Sequence, residues 1–232
     1  MTLLNQHLAD IRHSYLYEHL DEPSFEYVTA HAKVIQLATG ERLFAEGESS
    51  QYFYLIHRGI MKLFKSSPDG TERIVELVNA KQLFGEDAMF VGEHAVYADA
   101  LEPTQLIAFE CAAFTTLMHQ NAELCFRMLT EMSRRSKKLI DEIGKLTLQG
   151  AIQRVAEYLI EVGKYSDFSS TIRVNLPKYI IASRIGVSPE TLSRIITKFR
   201  HKGMIDCNKD SIMLKNLPHL QQVANGQVGL NS

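Results

Sequence analysis

The stretch Lys178-Tyr-Ile-Ile-Ala-Ser-Arg-Ile-Gly-Val-Ser-Pro-Glu-Thr-Leu-Ser-Arg-Ile-Ile-Thr-Lys-Phe199 decides the fold of the C-terminal third. Two short helices that cross steeply need a tight turn, a small residue where they approach, and apolar positions that lock them. Gly186 can turn the chain where a Cβ would obstruct. Ala182 is small, and Ile181, Ile185, Val187, Leu192 and Ile195 supply the lock. Ser188 suits an N-cap, Pro189 the first helical turn and Gly203 the end of the second helix. Spacing and chemistry together predict a helix-turn-helix. An accidental αα-hairpin seldom meets all these conditions.

The second helix separates into two faces. Leu192, Ile195, Ile196 and Phe199 point inward, while Glu190, Ser193, Arg194 and Thr197 share the opposite face at i, i+3, i+4, i+7. That outer face suits base reading in a major groove. Arg194 can bond bidentately to guanine O6 and N7, Glu190 can accept from cytosine N4, and Ser193 can bond either way. The alternative for Glu190 is an i,i+4 salt bridge to Arg194 on a solvated face. Lys178, Arg184, Ser188, Lys198, Arg200 and Lys202 read as phosphate contacts, which position rather than specify. Met204–Cys207 and Ser211–Leu214 flank Asn208-Lys-Asp, a hairpin suited to a wing.

Charge supports this division. The 232 residues carry a net charge of -2. Residues 1–146 hold 14 basic against 21 acidic side chains, and residues 147–232 hold 11 against 6. Within 171–204 the count is 7 against 1, the single acid being Glu190. Such a local basic concentration points to nucleic acid, with a solvated basic face as the plain alternative.

Upstream, residues 1–32 read as short amphipathic helices. From Lys33 the texture becomes short β runs punctuated by glycine: Val34–Leu37, Arg42–Ala45, Tyr52–His57, Ile60–Lys65, Ile74–Val78, Ala95–Leu101 and Gln105–Phe109. That spacing predicts a small antiparallel barrel or roll rather than a parallel sheet. From about Ala113 the period is helical. Ala122, Cys125, Leu129, Met132, Ser136, Leu139, Ile143 and Leu146 recur in steps of three and four, a seam whose natural partner is a second copy. Its alternative is one helix lying on its own domain. A further helix is expected at Ala151–Val162, a strand at Thr171–Leu176, and a frayed tail from Gln221.

Other classes find little support. Three cysteines, Cys111, Cys125 and Cys207, are too few for a disulfide framework and lack metal-type spacing. No stretch approaches the ~18 apolar residues of a membrane span, and the first residues lack a signal-peptide pattern. A cytoplasmic location without membrane partners is therefore expected. No nucleophile–base constellation or phosphate loop appears, so no enzyme is expected.

With these residues in view, the chain resembles the Crp/Fnr family of bacterial transcription regulators over about residues 15–220. The resemblance rests on the glycine pattern of the roll, Phe84-Gly-Glu, the long helix, and Val187-Ser-Pro-Glu-Thr-Leu-Ser-Arg. It implies an α+β fold: an N-terminal cyclic-nucleotide-binding-type antiparallel β-roll, a long dimerisation helix and a C-terminal winged helix-turn-helix. The expected domains are a sensor over 1–112, a connecting helix over 113–146 and a DNA-binding domain over 147–232. Glu190, Ser193 and Arg194 match the Fnr-type reading helix, which implies a palindrome with TTGAT half-sites. Double-stranded DNA, a second copy of the chain and RNA polymerase are the implied partners. The implied dimer seam includes Cys125, Leu129, Met132, Leu139 and Ile143.

The resemblance also bears on the sensor. Cyclic-AMP-binding members follow Gly-Glu with an Arg-Ser pair; here Gly85-Glu86 leads to Glu93-His-Ala-Val-Tyr-Ala, without Arg or Ser. Cyclic AMP is therefore not expected. No Cys precedes Cys111, so no iron–sulfur cluster is expected either. What remains is similarity to cluster-free Dnr-like members, in which haem and nitric oxide are implicated. Gly85, Glu86, His94, Val96 and Tyr97 are the expected effector pocket. His13, His19 and His31 are candidate haem ligands, with His94 near the pocket and a thiol sensor at Cys125 as alternatives. A cyclic-nucleotide-binding module with no gene-regulatory role is the competing function.

Overall fold

The computed structural model describes residues 3–164, 171–173, 176–208 and 211–229. The chain divides into two compact units, Met1–Ser136 and Lys137–Ser232. The elements run α1 (Asn5–His13), α2 (Glu22–Ala30), β1 (Ala32–Leu37), β2 (Arg42–Phe44), β3 (Tyr52–Arg58), β4 (Ile60–Ser66) and β5 (Glu72–Asn79). Then come β6 (Leu83–Phe84), α3 (Ala88–Val91), β7 (Tyr97–Ala100), β8 (Thr104–Glu110), α4 (Cys111–Gln120) and α5 (Ala122–Leu148). The remainder is α6 (Ala151–Lys164), β9 (Thr171–Arg173), α7 (Lys178–Ile185), α8 (Pro189–His201), β10 (Ile205–Cys207), β11 (Ser211–Leu214) and α9 (Leu217–Ala224).

In the first unit two four-stranded antiparallel sheets form, in the orders β1-β8-β3-β6 and β2-β7-β4-β5. Strands β3 and β8 are buried on both faces, which is why both read as nearly continuous apolar runs. Tyr54, Ile56, Leu106 and Ala108 join Phe44, Met61, Leu63 and Phe84 in one core. Phe53, Leu55, Ile107 and Phe109 point the other way, into a core closed by α1, α2, α4 and Leu124 and Met128 of α5. Each such fully buried side chain contributes about 1.5–3 kcal/mol. Two departures from expectation are local. Leu83–Phe84 pairs with Tyr54–Leu55 as a two-residue strand too short for periodicity to show. The helical stretch from Ala113 breaks at Asn121, whose side chain caps the next helix by accepting from Leu124 N–H at 3.0 Å.

The second unit packs α6, α7, α8 and α9 around Val155, Ala156, Leu159, Ile181, Leu192, Ile195, Phe199, Leu220 and Val223. Three strands in the order β10-β11-β9 form its sheet. The strand foreseen at Thr171–Leu176 is seen over Thr171–Arg173, residues 174–175 lying outside the described residues. The expected frayed tail is corrected over its first turn. Asn216 caps α9 by accepting from His219 N–H at 3.1 Å, and Leu220 and Val223 are buried. No helix among the described residues is long and apolar enough to cross a membrane.

Candidate nucleic-acid interface and sensor pocket

The turn between α7 and α8 is built from local chemistry. Gly186 adopts φ 72°, a left-handed conformation that a side chain would oppose. The amide of Val187 returns to the Ala182 carbonyl at 3.0 Å. Ser188 Oγ accepts from Thr191 N–H at 3.1 Å and Pro189 opens α8. Sequence reasoning missed Arg154. Its guanidinium, on the half-buried side of α6, donates to the carbonyls of Ile185 and Gly186, both at 2.9 Å. These bonds satisfy the carbonyls at the end of α7 and tie the turn to the core.

Helix α8 presents two faces. Leu192, Ile195 and Phe199 are buried, and Glu190, Ser193, Arg194 and Thr197 are all exposed in one row. Arg194 has no acidic partner among the described residues. Glu190 does not bridge to it: bonds from backbone N–H at the helix start, then from Ser188, hold the Glu190 carboxyl below its ordinary range. Thr197 Oγ1 donates to the Ser193 carbonyl at 2.9 Å. Lys178 stands exposed at the first position of α7, Arg184 is half-buried near its end, and Lys198, Arg200 and Lys202 are exposed at and just past the last turn of α8. Lys178, Arg184 and Arg200 lie around the same hollow as Ser193 and Thr197. Arg194 and Lys198 line a second hollow with Thr191 and Ala151.

In the first unit Gly85 and His94 meet. Gly85 turns at φ +80°, and a Cβ there would sit 3.3 Å from the Tyr54 ring and 3.5 Å from His94 Cε1. The His94 ring is buried and stacks flat on Phe44, centroids 3.5 Å apart. Burial lowers its affinity for a proton. Val96 packs beside the same core. Tyr97 does not join them. Ala98 and Ala100 of β7 face the core, so strand alternation turns Tyr97 and Asp99 to the opposite face. There Tyr97 stacks on Phe64 and lies under Arg42, which pairs with Asp99 at 2.8 Å.

Glu86 points to the long helix. Its carboxylate is buried and meets Arg135 of α5 at 2.6 Å, while Arg135 also reaches Glu131 at 3.4 Å. Glu86 Oε2 and the hydroxyls of Tyr15 and Tyr17 are buried without hydrogen-bond partners among the described residues. Burial raises the Glu86 carboxyl, and Arg135 offsets only part of the rise. A carboxyl raised in the folded state contributes stability that is complete below its unfolded pKa and fades as pH climbs through the folded one. Arg135→Met lifts that carboxyl further. It should cost near the lower end of about 3–5 kcal/mol at pH 7, Arg135 being partly exposed. Urea unfolding should show the deficit shrinking towards about pH 4; a deficit independent of pH would place the loss in packing alone.

The histidines of the N-terminal region do not converge. The exposed His13 and half-exposed His31 each use Nδ1 on a carbonyl of the same helix, at 2.7 and 2.8 Å, and His19 is exposed beside Glu18. Cys111 is buried, which pushes its thiol up to about 11. Cys125 Sγ donates to the Met118 carbonyl at 3.1 Å. On α5, Leu129, Leu139 and Ile143 of the expected seam are exposed, whereas Cys125 and Met132 are half-buried, Met132 against the roll's own core. Phe126, Ile140 and Leu148 are exposed as well.

Residues 34–121 match the family described as the cyclic nucleotide-binding domain, and residues 153–223 match the Crp-like helix-turn-helix domain. The second match sets aside a nucleotide-binding module with no gene-regulatory role. The chain is 22% identical over 214 residues to the CRP-like cAMP-activated global transcriptional regulator of Mycobacterium tuberculosis, covering 90% of this chain and 96% of that one. It is 25% identical over 166 residues to the nitrogen fixation regulation protein FixK of Rhizobium meliloti, covering 72% and 74%. Among solved structures, FixK2 from Bradyrhizobium japonicum aligns with a TM-score of 0.72 at 18% identity over 83% of this chain and 96% of that one. DNR from Pseudomonas aeruginosa aligns with a TM-score of 0.52 at 26% identity, over 96% and 100%. The chain thus joins a cyclic-nucleotide-binding-type roll to a Crp-like helix-turn-helix, and the relatives it is similar to are Crp/Fnr-family transcription regulators, not enzymes.

Proposed function

We propose that the protein is a homodimeric regulator that reads a palindrome of TTGAT half-sites through Glu190, Ser193, Arg194 and Thr197. The observation that carries this reading is the exposed row of those four side chains on a helix whose opposite face is buried. Arg194, without an acidic partner among the described residues, is available for a bidentate contact to guanine. Lys178, Arg184, Lys198, Arg200 and Lys202 neutralise phosphates, with Ser188 holding the start of the reading helix in place. In a two-fold dimer the two reading helices enter successive major grooves ~34 Å apart. Functionally the chain divides into a sensor over 1–112, a connecting helix over 113–146 and a DNA-binding domain over 147–232. RNA polymerase is the protein partner, and the cytoplasm the compartment, that such a role implies.

The effector is sensed in the roll near Gly85, Glu86, His94 and Val96, and it is not cyclic AMP. Although the Mycobacterium tuberculosis relative is named as cAMP-activated, the segment His94–Val96 brings no cation to this pocket. Arg135, beside Glu86, is already held by two carboxylates, so it offers an anionic phosphate no unpaired positive charge. A haem-borne nitric oxide signal or a redox signal accords with the resemblance to cluster-free Dnr-like members, and none of His13, His19 and His31 is assigned as its ligand. Effector binding acts only through different affinities for two arrangements of the dimer. Fluorescence anisotropy with a TTGAT palindrome and with the same duplex scrambled tests the reading. Preference for the palindrome by about 10³-fold or more is expected of specific over non-specific binding; equal affinity would overturn it.

A further inference from the structure

A cavity of about 620 Å³ opens between α6, α7, α8 and the sheet of the second unit. That size lies within the roughly 300–1,000 Å³ of small-molecule sites. Leu159, Val162, Ile181, Ile196 and Ile212 give it apolar walls. Lys178, Arg184 and Arg200 also line it, and no Asp or Glu does among the described residues. Asp206 of β10 is paired with Lys215 at 3.1 Å. A duplex backbone has no apolar body to bury, so these walls ask for a different occupant than the phosphates that the cations attract.

We propose that this cavity binds an amphipathic organic anion, an apolar ring system or chain bearing one carboxylate or sulfonate, and that its occupancy opposes DNA binding. The apolar body fills the space between α6 and α8, and the anionic head pairs with the guanidinium or ammonium groups at the rim. Ser193, Thr197 and Arg200 belong both to this wall and to the DNA-contacting set proposed above. Ligand and DNA therefore compete, and each weakens the other by the same factor. The competition rests on the proposed DNA reading; the ligand site itself does not.

The full-length protein can be titrated with 8-anilinonaphthalene-1-sulfonate and with the uncharged N-phenyl-1-naphthylamine. One sulfonate site per chain, at least tenfold tighter than the neutral analogue, is expected. Val162→Trp, which fills the cavity from α6 and leaves every side chain of the reading face unaltered, should weaken the sulfonate at least tenfold. The unaltered chain provides an independent measurement: Cys207 lines the cavity, so saturating sulfonate should slow its alkylation by iodoacetamide severalfold and leave Cys125 unaffected. Equal binding of the neutral analogue, full binding by Val162→Trp, or an unprotected Cys207 would each overturn the site. Protection of Cys207 with unchanged DNA affinity would overturn the competition and leave the ligand site standing. Failure of the TTGAT preference with Cys207 still protected would count against the DNA reading instead.

Discussion

Arg194→Ala lowers affinity for a TTGAT palindrome by ~1–3 kcal/mol per half-site and relaxes the preference for guanine there. At 1.4 kcal/mol per factor of ten, that is about 5- to 150-fold for one half-site, and more when both carry the loss. The size follows from what the side chain lacks in the free protein. A guanidinium already paired would exchange one partner for another on binding, with a small net gain. Arg194 is exposed and without an acidic partner among the described residues, so its bond to a base edge is new. Glu190 helps by staying away. Its carboxylate is held by the start of its own helix, so it neither neutralises Arg194 nor needs an arginine to remain ionised. The measurement is anisotropy on the palindrome, on a duplex with the guanine replaced, and on random DNA. Loss confined to the guanine-bearing duplex is expected. An equal loss on all three would make Arg194 a phosphate contact, since phosphates are alike in every sequence.

What sequence reading could see of this molecule follows from the range of the forces involved. The turn at Gly186, the cap at Ser188 and the two faces of α8 depend on residues within one or two helical turns, so their pattern is written in adjacent positions. Most strands of the roll were legible for the same reason, each being a short apolar run between turn residues. Contacts between distant segments were not. Nothing near Arg154 announces that its guanidinium caps the end of α7, thirty residues on. Tyr97 belongs to the stretch that the resemblance assigns to the effector pocket, yet the two-residue alternation of β7 turns it away. The Glu86–Arg135 pair joins residues far apart in sequence. An Arg between Arg134 and Ser136 on a long helix carries no sign that it will meet a buried carboxylate. The seam of α5 shows the same limit in another form. A helix with apolar residues on more than one stripe does not declare which stripe its own domain will claim. Here Leu124 and Met128 went into the roll, with Met132 beside them.

That choice leaves another face of α5 open to water. Phe126, Leu129, Ile140 and Ile143 are between 60% and 67% exposed on α5. Their positions differ by 3, 11 and 3 residues, which keeps them close to one stripe of a 3.5-residue repeat. Burying one such side chain against a second copy is worth about 1.5–3 kcal/mol, and each contact occurs twice across a two-fold axis. The double variant Ile140→Glu with Ile143→Glu removes four apolar contacts from the proposed dimer and sets four carboxylates against one another. Their mutual repulsion and desolvation leave no favourable arrangement in a dry seam. The expected result is a monomer by sedimentation velocity at micromolar concentration, with the native fold retained because neither side chain is buried within the chain. DNA binding should fall by more than about 100-fold on the palindrome, because each half-site is then held by one reading helix without help from its partner. Binding to a single half-site should change little. A double variant that still sediments as a dimer would place the self-association surface elsewhere on the chain. One that stays dimeric and keeps its palindrome affinity would remove α5 from the geometry that spaces the reading helices.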